Sequence, residues 1–154
     1  NMGQEILRRS VYFRNTPNLQ MEFLKLFDAP NPTHCYERNE SIVPQQALAM
    51  ANSKLSLSQA RLLARRLGGQ ATPAGTFVAD AFEAVLGRPP LAEERAESEK
   101  FLVRQIELFH DPKKLTAFRV SAASEVSPGS DPSLRARENL VHALLNRNAF
   151  LTIR

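Results

Sequence analysis

The sequence predicts an all-α protein: an irregular bundle of about six or seven helices, with an extended N-terminal segment over 1–16 and a helical remainder over 17–154. Three observations predict it. Apolar residues recur at three- and four-residue spacing along most of the chain, the period of one helix face. The strict alternation of a half-buried strand is nowhere sustained. Glycine is sparse, at 6, while the 10 prolines fall between the periodic segments, where they end one helix and open the next.

Each element has its own local signal. The first helix is expected over 17–27: Thr16 can cap it, Pro17 suits its first turn, and Leu19, Phe23, Leu24 and Phe27 share a face. Pro30 and Pro32 prevent its continuation. A second helix starts near Pro44 and ends around Asn52, with Ala47, Leu48 and Ala51 on one side. The third follows Ser56, which stands at capping-box spacing from Gln59; Ala60, Leu63, Ala64 and Leu67 make its stripe, and Gly68 and Gly69 stop it. The fourth spans 76–86, with Val78, Ala81, Phe82, Val85 and Leu86 facing inward and Gly87 at its end.

The fifth helix, 91–110, is the longest. Its carboxylates (Glu93, Glu94, Glu97) come early and its bases (Arg104, His110) late, which complements the helix dipole, and Leu102, Ile106 and Phe109 face the core. A short sixth helix opens at Asp111–Pro112 and buries Leu115 and Phe118. Residues 124–130, rich in serine with a Pro-Gly pair, read as a surface loop. The last helix begins at Asp131–Pro132 and carries Leu140, Val141, Leu144, Leu145 and Leu151 on its apolar face. The 154 residues together make a single helical domain.

Composition narrows the function. Hydrophobic residues at 43% and charged residues at 23% belong to a globular chain, and the net charge of +4 over 154 residues is a mild bias. The lone Cys35 excludes an internal disulfide and a cysteine-based zinc or iron–sulfur site. His34, His110 and His142 are far apart in sequence, with no His-x-x-x-His spacing. There is no Cys-x-x-Cys-His for covalent haem, no Gly-rich phosphate loop and no Gly-x-Ser-x-Gly elbow. No apolar run approaches the roughly 20 residues of a membrane span, and residues 1–9 lack a signal-peptide core.

Four groups of residues could carry chemistry. His34-Cys35-Tyr36 offers a thiol beside a base, although neighbours in a loop usually point apart; the plainer reading is a structural cysteine between helices. Arg38 and Asn39 follow, and Asn39, Gln45, Gln46 and Asn52 form an amide-rich stretch able to bind carbohydrate or a peptide backbone, or simply to satisfy backbone groups where loop meets helix. Arg8, Arg9 and Arg14 interleave with Tyr12 and Phe13, and Arg61, Arg65 and Arg66 make a second basic group. No reader motif accompanies either, so a helix face with local ion pairs is favoured over nucleic-acid binding. Glu93/Glu94 and Glu97/Glu99 lie on one helix and do not converge across a cleft as a glycosidase pair must.

An ordered set of motifs resembles a known family. Arg8-Arg9-Ser10-Val11-Tyr12-Phe13-Arg14 opens it, followed by Phe27-Asp28-Ala29-Pro30 and Cys35-Tyr36-Glu37-Arg38. Then come the run from Ser41 to Ser53, Leu86-Gly87-Arg88-Pro89-Pro90 with Glu93-Glu94, and finally Leu144-Leu145-Asn146 with Phe150-Leu151. This set is similar to the C-terminal part of a domain of unknown function characteristic of planctomycetes. One departure is Leu91, where that family more often has a Thr or Ser cap.

The resemblance implies that the chain is a piece of a larger exported protein, periplasmic or at the cell surface. A cytochrome-c-like domain and a second uncharacterised domain would precede it. It implies no cofactor in this chain, with covalent haem only upstream. The partners it implies are the upstream domains of the same polypeptide, then a polysaccharide or another surface protein. The expected function is a non-catalytic packing and interaction module. The alternative is part of a hydrolytic, polysaccharide-acting enzyme that uses His34, Cys35, Arg38 and Asn39; nucleic-acid binding through Arg61, Arg65 and Arg66 ranks below both.

Overall fold

A computed structural model describes residues 10–12, 16, 18, 24, 27, 33, 43–68, 72–111, 115 and 126–151. Among them are six α-helices and no strand, as an all-α bundle requires. The chain divides into two compact units, Asn1–Met50 and Ala51–Arg154.

The first unit holds a 3-10 turn, Ser10–Tyr12, and most of α1, Val43–Asn52. Of the predicted first helix, Asn18 is in a turn, Leu24 is helical and the Phe27 amide donates to the Leu24 carbonyl at 3.1 Å; its other residues lie outside the described ones. On α1 the expected apolar side is not the covered one. Leu48 is 64% exposed and Ala51 is exposed, whereas Ala47, Ala49 and Met50 are half-buried. Five consecutive apolar residues, Ala47 to Ala51, wrap around the helix, so periodicity defines no single face there.

The second unit is built from α2 (Lys54–Leu67), α3 (Ala74–Leu86), α4 (Ala92–His110), α5 (Pro132–Leu145) and the short α6 (Asn148–Leu151). The central helix is α5, which packs most extensively against α2 on one side and α4 on the other, with α3 contacting all three. The core joins Ala60 and Ala64 of α2, Phe77, Val78, Ala81 and Phe82 of α3, Leu102 of α4, and Ala136, Leu140, Val141 and Leu144 of α5. Alanines at the α2–α5 contact let the two backbones approach, while α3 supplies the bulk.

Helix ends follow from particular residues. The start of α2 lies one turn earlier than expected: Ser53, not Ser56, is the cap, its Oγ accepting from the Ser56 amide at 3.4 Å, and Ser56 is buried inside the helix. Asp131 caps α5 by accepting from the Leu134 amide at 2.9 Å, with Pro132 in the first turn. Replacing Asp131 by alanine should lower unfolding stability by about 1 kcal/mol in a denaturant titration. The predicted long C-terminal helix is instead broken at Asn146. Its amide donates to the Ala143 carbonyl and its side chain to the His142 carbonyl, a local competition that tightens the last turn.

Gly87 ends α3 at φ 66°, the left-handed region, and a Cβ there would meet no atom within 4 Å. Gly87→Ala should therefore cost about 1–2 kcal/mol through backbone strain alone, read as a lower thermal midpoint with unchanged near-UV dichroism. Leu115, expected to be buried in a short sixth helix, is instead exposed and sits at a bend. Phe118 lies outside the described residues.

Candidate functional site

Of the residues singled out in the sequence, His34, Cys35, Tyr36, Arg38 and Asn39 lie outside the described residues. Gln45 is exposed and Gln46 half-buried in the first turn of α1. The polar groups that the structure does bring together include Arg61, Arg65 and Glu94 from the groups singled out above, joined by Arg88, Glu138 and Arg147, in two clusters of the second unit, which also carries two grooves.

The first cluster centres on Glu138, which is 3% exposed on α5. Its Oε1 accepts from Arg65 Nε and a terminal nitrogen, both at 3.2 Å, and its Oε2 accepts from the Gly129 amide at 3.0 Å with Arg61 Nε at 4.0 Å. Arg61 and Arg65 also donate to the carbonyls of Val126 and Ser127, and the Arg65 bond is 2.5 Å long. Two arginines of the basic group on α2 thus clamp the loop before α5; Arg66 stays exposed. The expectation of a solvated face with local ion pairs is corrected there: Arg61 and Arg65 pair with an acid that is remote in sequence and buried, because α5 packs against α2.

Glu94 organises the second cluster. Arg88 meets it as a fork, its two terminal nitrogens at 2.8 and 2.9 Å from the two carboxylate oxygens. Arg147 reaches Oε1 at 2.9 Å, and the Leu91 amide donates to Oε2 at 3.0 Å. Leu91 sits at the cap of α4, where its aliphatic side chain can accept no amide of the first turn; Glu94 makes the other half of a capping box by accepting from the Leu91 amide. Beneath lies the Phe82 ring, 6.0 Å from the Arg88 guanidinium and 5.8 Å from that of Arg147. One carboxylate thereby ties the α3–α4 turn, the start of α4 and the end of α5.

The hydrogen bonds from Arg88, seconded by the Leu91 amide and the charges of Arg88 and Arg147, hold the Glu94 carboxyl at about 2, against an ordinary 4.5. Its folded value lies below its unfolded one, so its stabilisation is complete above the ordinary value and is lost as pH falls from about 4.5 towards 2. In a pH series of denaturant titrations, Glu94→Gln should be less stable than the wild type at neutral pH, and the two curves should meet near the acid end of that window.

Two grooves flank α4. One, about 510 Å³, runs between α4 and α5, with Phe101, Leu140, Ala143 and Leu144 along its floor and charged residues on its rim. The other, about 430 Å³, lies between the start of α3, α4 and the start of α5, and is lined by Leu102, Val103 and Ile106 with Arg137 at one edge. Arg137 is itself buried: it donates to the Thr72 carbonyl at 2.6 Å and lies 5.0 Å over the Phe77 ring. Gly68 passes so close that a Cβ there would sit 2.7 Å from both side chains.

The described residues contain no group of three or more His, Cys, Asp or Glu able to hold a metal ion. No described helix is long and apolar enough to cross a membrane. Glu94 was visible in the sequence only as one of several acids in a first turn. Glu138 and Arg137 gave no signal at all, because each acts on groups more than sixty residues away.

These clusters bind helices and loops to one another, which defines the class: an all-α helical module whose paired charges are structural clamps. The chain belongs to the PSD1 family, described as a protein of unknown function (DUF1553), whose model matches residues 1–102. No curated protein and no solved structure matches the chain. The match takes in the motifs from Arg8 to Glu94; Leu144-Leu145-Asn146 and Phe150-Leu151 lie beyond it.

Proposed function

We propose that this chain is a non-catalytic packing and interaction module of a larger, haem-containing planctomycete protein of the periplasm or cell surface. One observation supports the module reading above the rest: large apolar side chains stand in solvent on regular helices. Leu62 of α2 is 47% exposed, Val103 of α4 is 56% exposed, and Leu91 at the start of α4 is 66% exposed. Singly such residues are ordinary; Val103 lines the second groove and Leu91 opens the same helix, and together with Leu62 they suit surfaces that a neighbouring domain covers. The two clustered acids point the same way, since half-buried Glu94 and buried Glu138 already accept from fixed donors at both oxygens.

The test is hydrogen exchange on this chain alone and on the polypeptide that includes its preceding domains. Helices α2 and α4 should exchange more slowly in the longer protein, and binding of an apolar dye should fall. Equal exchange and equal dye binding would overturn the proposal. Absorbance of the longer protein would separately show whether haem is attached upstream.

A further inference from the structure

The groove between α4 and α5 has a charge pattern that complements itself. Along α4, Glu97, Phe101, Arg104 and Leu108 follow one another at spacings of four, three and four residues, which places them on one helix face. Glu97 and Arg104 are exposed, Leu108 is 40% exposed, and Phe101 is half-buried with one side packed against the core. The face therefore reads acid, aromatic, base, aliphatic from the N-terminal end. Across the groove, α5 supplies Leu140, Ala143 and Leu144, so the floor is apolar between Arg104 at one end and, at the other, Glu93 and Glu97 beside the Glu94–Arg147 pair, which is already closed on itself.

The charges at those ends can accept an outside partner. Arg104 makes no ion pair with any described residue. Glu97 is held by Lys100 at 2.8 Å, but the side chains of both are more than half exposed, so that pair leaves the carboxylate open on its other side. Such exposed pairs contribute little by themselves.

We propose that this groove is a self-association surface, seating α4 of a second copy of the same chain antiparallel to its own α4 across a two-fold axis. Glu97 and Arg104 lie seven residues apart, about 10.5 Å along a helix. Reversing a second helix about the point midway between them sets each Glu97 against the other copy's Arg104, and symmetry makes that pair twice. The same operation brings the two Phe101 rings together near the axis. An isologous dimer needs a patch complementary to itself, which an acid–apolar–base stripe provides and a single-sign stripe does not. The partner here is an identical chain, so the proposal stands or falls apart from the reading of the chain as a module covered by preceding domains.

The experiment is sedimentation of the 154-residue chain and three variants across the micromolar to sub-millimolar range, with helical dichroism as the check on folding. The wild-type chain should form a dimer that weakens as salt is added. Glu97→Arg and Arg104→Glu should each weaken it by roughly tenfold or more, since each sets like charges together at two symmetric positions. The double variant Glu97→Arg/Arg104→Glu should recover most of that loss, because the pairs re-form with reversed sign. A wild-type chain that stays monomeric throughout the range would overturn the proposal. So would a dimer indifferent to the single variants, or a double variant as weak as the worse single one.

Discussion

Glu138→Ala is expected to destabilise the second unit by about 3 kcal/mol, the cost of removing a buried charged acceptor from its donors, with Arg65 itself 39% exposed. The carboxylate is 3% exposed and sits between Arg65, Arg61 and the Gly129 amide. Alanine would leave two guanidinium groups facing each other and a buried N–H without its acceptor. The loss is a large part of the whole stability of an ordinary domain, about 5–15 kcal/mol. Glu138→Gln keeps the volume and one acceptor but removes the charge, and should fall between alanine and wild type. Urea titration at constant slope measures both. Protease cutting within residues 126–130 should rise in the alanine variant, because that loop is tied down through the same carboxylate. A midpoint within about half a kcal/mol of the wild type would show that the cluster contributes no net stability.

Phe82→Ala should cost as much or more, about 3–5 kcal/mol, by a different route. The ring is completely buried on α3, and alanine would open a cavity among apolar neighbours that cannot collapse fully. It would also take away the apolar floor under Arg88 and Arg147, loosening the cluster around Glu94. Phe82→Leu fills most of the space and should cost less, roughly 1–2 kcal/mol. If the Glu94 cluster depends on that floor, the acid-dependent part of stability should shrink in Phe82→Ala and persist in Phe82→Leu. Two denaturation series, at neutral and at acid pH, distinguish the outcomes.

Much of the second unit was legible in the sequence, and the reason is local. The stripes on 57–67 and 76–86 each contain one apolar side per helical turn between clear stops, and Ala60, Ala64, Val78, Ala81 and Phe82 are buried as the periodicity requires. Gly87 and the Asp131–Pro132 pair act within four residues of their own position, and both end or open helices where expected. The misreadings are equally local. Ser53 and Ser56 are both good caps, and only the path of the chain chooses the earlier one. Leu48 sits in an all-apolar stretch that defines no face, and Asn146 breaks a helix whose leucine spacing runs straight through it. Phe77 was missed because it stands beside Val78 at the edge of the stripe, yet it is completely buried beneath Arg137.

The site followed a different rule. Arg61 and Arg65 looked like a basic face, and Glu94 like one of several acids that favour a helix N-terminus. What Arg61 and Arg65 do depends on Glu138, a partner distant in the chain, whereas Glu94 is held mainly by Arg88, six residues away, with Arg147 added from beyond the end of α5. A charged side chain carries no periodic signal for its partner, because attraction between opposite charges is not tied to sequence spacing outside one helix. By itself the sequence determined the helical class, most helix ends and the apolar stripes, all of which depend on backbone geometry and burial within a few turns. Only the tertiary structure decided which charges are buried clamps and which remain on the surface, because that choice is made when α5 lands between α2 and α4 and takes its carboxylate out of water.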